Sequence, residues 1–156
     1  MKTIHEWLRE YGESHQNKTN KTIHWICVPL IMFSLVGLLW SIPIPEIFTR
    51  INFLFNYGTL FMILALLYYL TLSVRLAIGM LIMVTGLIAG NYYLAKIGSP
   101  PLWVISLIIF VVAWIGQFIG HYIEGKKPSF LKDLQFLLIG PLWLLSFIYK
   151  KLEILY

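Results

Sequence analysis

The chain has 156 residues, of which 59% are hydrophobic and only 12% charged, with a formal net charge of +5. A soluble domain of this length runs nearer half apolar and a quarter charged, so this balance excludes an ordinary water-facing globule and fits lipid. Nucleic acid is a poor partner for the surplus charge, because no basic stripe or reading motif accompanies it. The single cysteine, Cys27, lies inside an apolar run. It excludes an internal disulfide and a cysteine-based zinc site, and it reads as a small packed hydrophobe. Length and uniform character suit one integral membrane domain, residues 1–156. The first twenty-two residues are polar, so no cleavable leader is expected, and the first apolar segment should act as the insertion signal.

Residues 3–11 read as a short helix. Thr3 and Glu6 have capping-box spacing, and Ile4, Trp7, Leu8 and Tyr11 recur at i, i+3, i+4 and i+7. Such a helix either lies flat at the membrane interface or packs on the rest of the protein. A polar stretch, Gly12–Thr22, follows. Five apolar segments come next: Ile23–Ile44, Ile51–Ser73, Leu76–Ala95, Pro101–Ile123 and Leu134–Tyr149. A crossing helix needs about 20 residues. The first four qualify. The fifth is short and carries Gly140-Pro141, so a kinked or re-entrant segment is expected there. Arg75 separates the second from the third, and at a hairpin tip it can sit at head-group level. The expected fold is therefore all-α: a polytopic transmembrane bundle of about five segments with a short N-terminal interfacial helix.

Charge sets the expected orientation. The N-terminal tail, the Arg75 turn and the Gly125–Asp133 loop would share one side and carry most of the Lys and Arg. The positive-inside rule makes that side cytoplasmic. The first membrane helix then begins, and the fourth ends, at the cytoplasmic face.

This placement gathers the polar residues. His15 and His24 stand at or before the start of the first membrane helix, and His121 and Glu124 end the fourth. Gln117, His121 and Glu124, at i, i+4 and i+7, share one helical face, which Trp114 extends. Gly116 and Gly120 form a small-xxx-small pair that lets a neighbouring helix approach closely. If that neighbour is the first helix, His24 and His121 can share an ion. Several imidazoles with or without a carboxylate suit Fe(II), Zn(II) or another first-row metal. Equally, single histidines at helix ends often just bond backbone or lipid phosphate. His5 falls on the polar side of the short helix and reads as solvated, and Asn17 and Asn20 read most simply as turn and cap residues. Imidazole nitrogens more than ~8 Å apart would exclude a shared ion at ~2 Å bond lengths.

Two blocks resemble the Mpo family of membrane 2-hydroxy fatty acid dioxygenases. One is Tyr11, then His15-Gln16-Asn17-Lys18-Thr19-Asn20-Lys21-Thr22-Ile23-His24, followed by Val28-Pro29. The other is Trp114-Ile115-Gly116-Gln117-Phe118-Ile119-Gly120-His121, then Glu124-Gly125-Lys126-Lys127-Pro128 and Gly140-Pro141. The resemblance implies an iron(II)-dependent enzyme that uses dioxygen to shorten a 2-hydroxy fatty acid by one carbon, a step of fatty acid α-oxidation. The family's motif histidines map onto His15, His24 and His121 as ligands of Fe(II). Glu124 takes the acidic position, as ligand, orienting group or base, although some members have one more residue between this histidine and the acid. Gln117 would bond a ligand or the substrate, and Lys126, Lys127 and Asn20 would meet the anionic head group. The implied partners are a 2-hydroxy fatty acid, dioxygen and membrane lipid. The implied location is the bacterial inner membrane, or the endoplasmic reticulum in a eukaryote. The readings that compete with the enzyme are a non-enzymatic lipid-binding or complex-assembly protein and a small transporter. The transporter is disfavoured because the assigned helices hold no ionisable residue at mid-membrane.

Overall fold

The computed structural model describes residues 2–52, 54–125 and 136–156. The described residues form seven helices and no strand: α1 Ile4–Gly12, α2 Lys18–Trp40, α3 Glu46–Ile51, α4 Tyr57–Leu72, α5 Val74–Ile97, α6 Leu102–Glu124 and α7 Ile139–Lys151. Three of them, α2, α5 and α6, are long and apolar enough to cross a membrane. Many large aliphatic side chains on α4, α5 and α6 face outward, among them Leu67, Ile82, Ile108 and Val112. Such a continuous apolar exterior suits lipid and would be an aggregation liability in water.

α1 starts as its sequence demands. The Glu6 amide donates to Thr3 Oγ1, and the Thr3 amide donates to the Glu6 carboxylate. Those bonds hold the Glu6 carboxyl below its ordinary value. Ile4, Leu8 and Tyr11 are buried, and the helix packs on α7. Of the two placements the sequence allowed for α1, the structure shows the packed one.

The expected apolar segments shift at their ends for identifiable reasons. α2 begins at Lys18, earlier than the expected Ile23, because Asn17 Oδ1 accepts from the Thr19 amide and caps the helix. It stops at Trp40, ahead of Pro43, because a residue before proline disfavours helix. The second expected segment, Ile51–Ser73, overlaps α3 only at Ile51 and is otherwise helical only over α4. Asn52 is extended, and Asn56 caps the new start by accepting from the Thr59 amide. α4 thus has only 16 residues. The α4–α5 break falls where expected: Ser73 is extended, ends α4 and caps α5 through the Leu76 amide.

α7 departs most from expectation. Gly140-Pro141 does not interrupt it but lies in its first turn, where the missing proline N–H has no helical partner to lose. The helix is 13 residues long, or ~20 Å at 1.5 Å per residue, well short of a ~30 Å hydrocarbon core. Its start is tied to α4 by the Tyr69 hydroxyl, which donates to the Leu138 carbonyl. Near its other end the Tyr149 hydroxyl donates to the Arg75 carbonyl, while Arg75 Nη1 donates to the Leu155 carbonyl. His5 of α1 and Tyr156 of the C-terminal tail lie ring to ring at 5.7 Å. The C-terminal residues therefore share an end of the bundle with α1 and the Arg75 turn. Five full crossings would put them at opposite ends. The arrangement is an up-and-down bundle of α2, α4, α5 and α6, with α1 and α7 packed across one end.

α2 and α6 run antiparallel in the most extensive helix pair among the described residues. Their approach depends on glycine. A Cβ on Gly116 would stand 2.6 Å from Cys27 Sγ, and one on Gly120 would overlap Asn20 Oδ1. The small-residue pair read in the sequence thus contacts the first membrane helix. Gly116→Val is expected to lower the melting midpoint in detergent by overpacking this contact, at a cost of about 1–3 kcal/mol. The matched control is Gly86→Val, where an added Cβ meets nothing within 4 Å; an equal shift in both variants would contradict the close approach.

Candidate metal centre

Three imidazoles meet where α1 and α7 close the bundle. His15 comes from the link between α1 and α2, His24 from the second turn of α2, and His121 from the last turn of α6. All three are buried, at 2%, 1% and 5% exposure. Ring centroids stand 4.2 Å apart for His15 and His24, 5.1 Å for His24 and His121, and 5.3 Å for His15 and His121. Each ring offers one nitrogen such that the three lie within 4.8 Å of one another. The sequence-level limit of ~8 Å is met comfortably. Nitrogens on one first-row ion with ~2.1 Å bonds would stand ~3.0–3.5 Å apart, so an ion would draw the three rings somewhat closer.

Backbone carbonyls select the tautomers. His15 Nδ1 lies 2.6 Å from the Tyr11 carbonyl, and His24 Nδ1 lies 2.9 Å from the Asn20 carbonyl. A carbonyl only accepts, so each Nδ1 carries the proton and each Nε2 keeps its lone pair. This is the pattern in which backbone behind an imidazole fixes both its tautomer and its orientation for a metal. His24 is buried, and beyond the Asn20 carbonyl on Nδ1 its ring has the Gln117 side chain as a hydrogen-bonding neighbour. An ion held by Nε2 would therefore have that amide beside it, where it can orient the ligand. The only cysteine sulfur lies one turn away against Gly116, leaving a donor set of neutral imidazoles, which suits Fe, Zn, Cu or Ni.

Aromatic rings wall the cluster. Tyr11 stacks flat on His15 at 4.3 Å, and Trp143 of α7 lies 5.2 Å from the same imidazole. A cavity of about 30 Å³ touches His24, His121, Gln117 and Trp114. That is room for one or two water-sized groups. Gln117, buried to 6% exposure, lines it. The site therefore presents a small chamber with largely apolar walls and the Gln117 amide among its lining.

Glu124 stands behind the cluster, outside the group of ring nitrogens that face one another. Its Oε1 accepts from the Gln16 amide at 2.7 Å, and its Oε2 accepts from the Asn17 amide and Asn20 Nδ2, both at 2.9 Å. One carboxylate thereby ties the end of α6 to the segment between His15 and His24. Asn20, wholly buried, completes the tie: its side-chain amide also donates to the Ser14 carbonyl at 3.2 Å. Both amide hydrogens are thus engaged inside the protein, which speaks against the expected head-group contact for Asn20. Lys126 and Lys127 lie outside the described residues. His5 is exposed and apart from the other three histidines. The sequence reading brought His15, His24, His121, Gln117 and Glu124 to one end, and the structure places them there. It overlooked Trp143, which carries no signal that separates it from the other interfacial aromatics.

The family described as 2-hydroxy-palmitic acid dioxygenase Mpo1-like matches residues 1–152, nearly the whole chain and both halves of this cluster. The chain belongs to the Mpo1-like family. The 2-hydroxy-palmitic acid dioxygenase MPO1 of Saccharomyces cerevisiae is 29% identical over 143 residues, which cover 90% of this chain and 76% of that protein. No solved structure matches the chain. In this Mpo1-like chain, the elements that carry the three imidazoles are joined directly by the Glu124 carboxylate and by the glycine face of α6.

Proposed function

We propose that the chain is an iron(II)-dependent membrane dioxygenase that shortens 2-hydroxy fatty acids by one carbon, breaking the C1–C2 bond. The observation that carries this reading is the convergence of three buried imidazoles with nitrogens within 4.8 Å. They occur in a chain whose family and yeast relative are named as dioxygenases of 2-hydroxy-palmitic acid. His15, His24 and His121 would hold the ion, with the Tyr11 and Asn20 carbonyls keeping two of the rings in the ligating tautomer. Bound ferrous iron with open positions supplies the electron transfer that dioxygen chemistry needs.

The protein supplies orientation and exclusion of water. An iron ion held by His15, His24 and His121 would supply the place where a 2-hydroxy acid and dioxygen meet. Gln117 faces the small chamber beside His24 and His121, where its amide can hydrogen-bond the head group and hold the C1–C2 bond in place. Trp114, Val28 and Ile31 keep that chamber apolar, which limits competing reactions with water. Lys126 and Lys127, directly after Gly125, would draw the anionic head group to this face of the membrane, taken as cytoplasmic. Glu124 acts as the strut behind the ligands.

Detergent-purified protein is expected to contain stoichiometric iron and to convert 2-hydroxypalmitate, in an oxygen-dependent reaction, to a fatty acid one carbon shorter. Iron-free protein with full turnover would contradict the metal role. Iron-loaded protein inert toward 2-hydroxy acids would contradict the substrate.

A further inference from the structure

The chamber at the imidazoles, about 30 Å³, has no room for an alkyl chain. A much larger groove of about 570 Å³ opens between α1, α7 and the C-terminal tail at the same end of the bundle. Its volume falls within the range of ligand sites. Leu8, Trp143 and Phe147 give it an apolar floor, while Arg9, Lys150 and Glu153 stand around it. Neither Arg9 nor Lys150 has a carboxylate within salt-bridge distance among the described residues, so both cations at the rim can take an anion. An apolar floor beneath two cations without salt-bridge partners among the described residues complements an anionic amphiphile. The groove and the histidine cluster share a wall: Trp143, only 4% exposed, lines the groove, and its ring lies 5.2 Å from that of His15.

We propose that this groove binds a long-chain fatty acid, with its carboxylate between Arg9 and Lys150 and its alkyl chain against Leu8, Trp143 and Phe147. The choice of a fatty acid rests on the function proposed above, since substrate and product of that reaction are both single-chain carboxylates that must enter and leave from the membrane. The groove is a holding site separated from the imidazoles by one aromatic ring.

The test uses the full chain in phosphatidylcholine nanodiscs with a diazirine-bearing palmitate, which lacks the 2-hydroxyl needed to chelate a metal. Photolysis is expected to label α1 and α7 around Leu8, Trp143 and Phe147. Excess palmitate should abolish this labelling, and the double variant Arg9→Gln, Lys150→Gln should reduce it roughly thirtyfold, given about 1 kcal/mol for each cation at a membrane surface. Both residues are exposed, and a melting curve checks the fold; the single variants carry the test if the double variant is unstable. Chelator-stripped protein should label as strongly as the untreated protein, so the result does not depend on the metal. Undiminished labelling of the charge variants would overturn the proposal. So would competition by phosphatidylglycerol as effective as that by palmitate, which would mark a phospholipid site. Labelling lost only on chelation would place the acid at the imidazoles, overturning the separate groove while leaving the functional reading intact.

Discussion

His24→Gly is expected to lose iron and turnover together, and free imidazole should restore part of both. The effect should exceed the roughly 10–100-fold loss that follows removal of a group behind a metal ligand. The Nδ1 of His24 is engaged by the Asn20 carbonyl, and the Gln117 side chain lies within hydrogen-bonding reach of the same ring. Deleting the ring removes a donor that no neighbour can replace, because the nearest thiol, Cys27, faces Gly116. Imidazole rescue separates this from a packing defect, since a small ligand restores the nitrogen but not the covalent link to α2. Elemental analysis and product assay, each with and without imidazole, check the outcome. A variant that keeps its iron would remove His24 from the site.

Glu124→Ala should weaken iron binding about 10–100-fold without changing the number of nitrogen ligands in iron-saturated protein. The carboxylate accepts from the Gln16 and Asn17 amides and from Asn20 Nδ2. Its removal leaves three donors without their anion and frees the segment that fixes the spacing of His15 and His24. The stability cost should be about 1–2 kcal/mol, at the low end for bonds to a charged group because the carboxylate is partly exposed. Glu124→Gln should fall between, since its amide oxygen can still accept but its NH2 group confronts a donor. Metal titration with X-ray absorption distinguishes the roles: loss of an oxygen ligand in Glu124→Gln would make Glu124 a ligand rather than a strut.

Much of this site was legible before any coordinates. Gln117, His121 and Glu124 share a helical face by period alone, and the charge pattern brought that face to the same end as His15 and His24. Gly116 and Gly120 pointed to a close helix neighbour, and α2 fills that place. What the residues could not show was direction. The spacing from His121 to Glu124 allows a ligand as readily as a strut, and only the positions of the Gln16 and Asn17 amides favour the strut. The tautomer-setting contacts of His15 and His24 also depend on local backbone geometry that no motif encodes.

The fold was readable in class and less so in extent. Hydropathy located the apolar segments, but hydropathy cannot tell lipid from a protein interior. α7 is apolar because Leu142, Trp143 and Leu144 are buried within the bundle, and its 13 residues need no membrane to explain them. Similarly, Ile51–Ser73 reads as one continuous apolar run, yet the side chain of Asn56 starts a new helix within it. Short polar caps decided these boundaries, and a window average conceals them.

The most direct test of the shared ion is X-ray absorption at the iron edge on the anaerobic iron-loaded protein, compared with the His15→Ala, His24→Ala and His121→Ala variants. The expected spectrum shows three imidazole nitrogens at ~2.1 Å with oxygen donors completing the shell, and each variant either loses iron or loses one nitrogen. An iron shell unchanged by all three substitutions, or one without imidazole scattering, would contradict a common ion between α2 and α6.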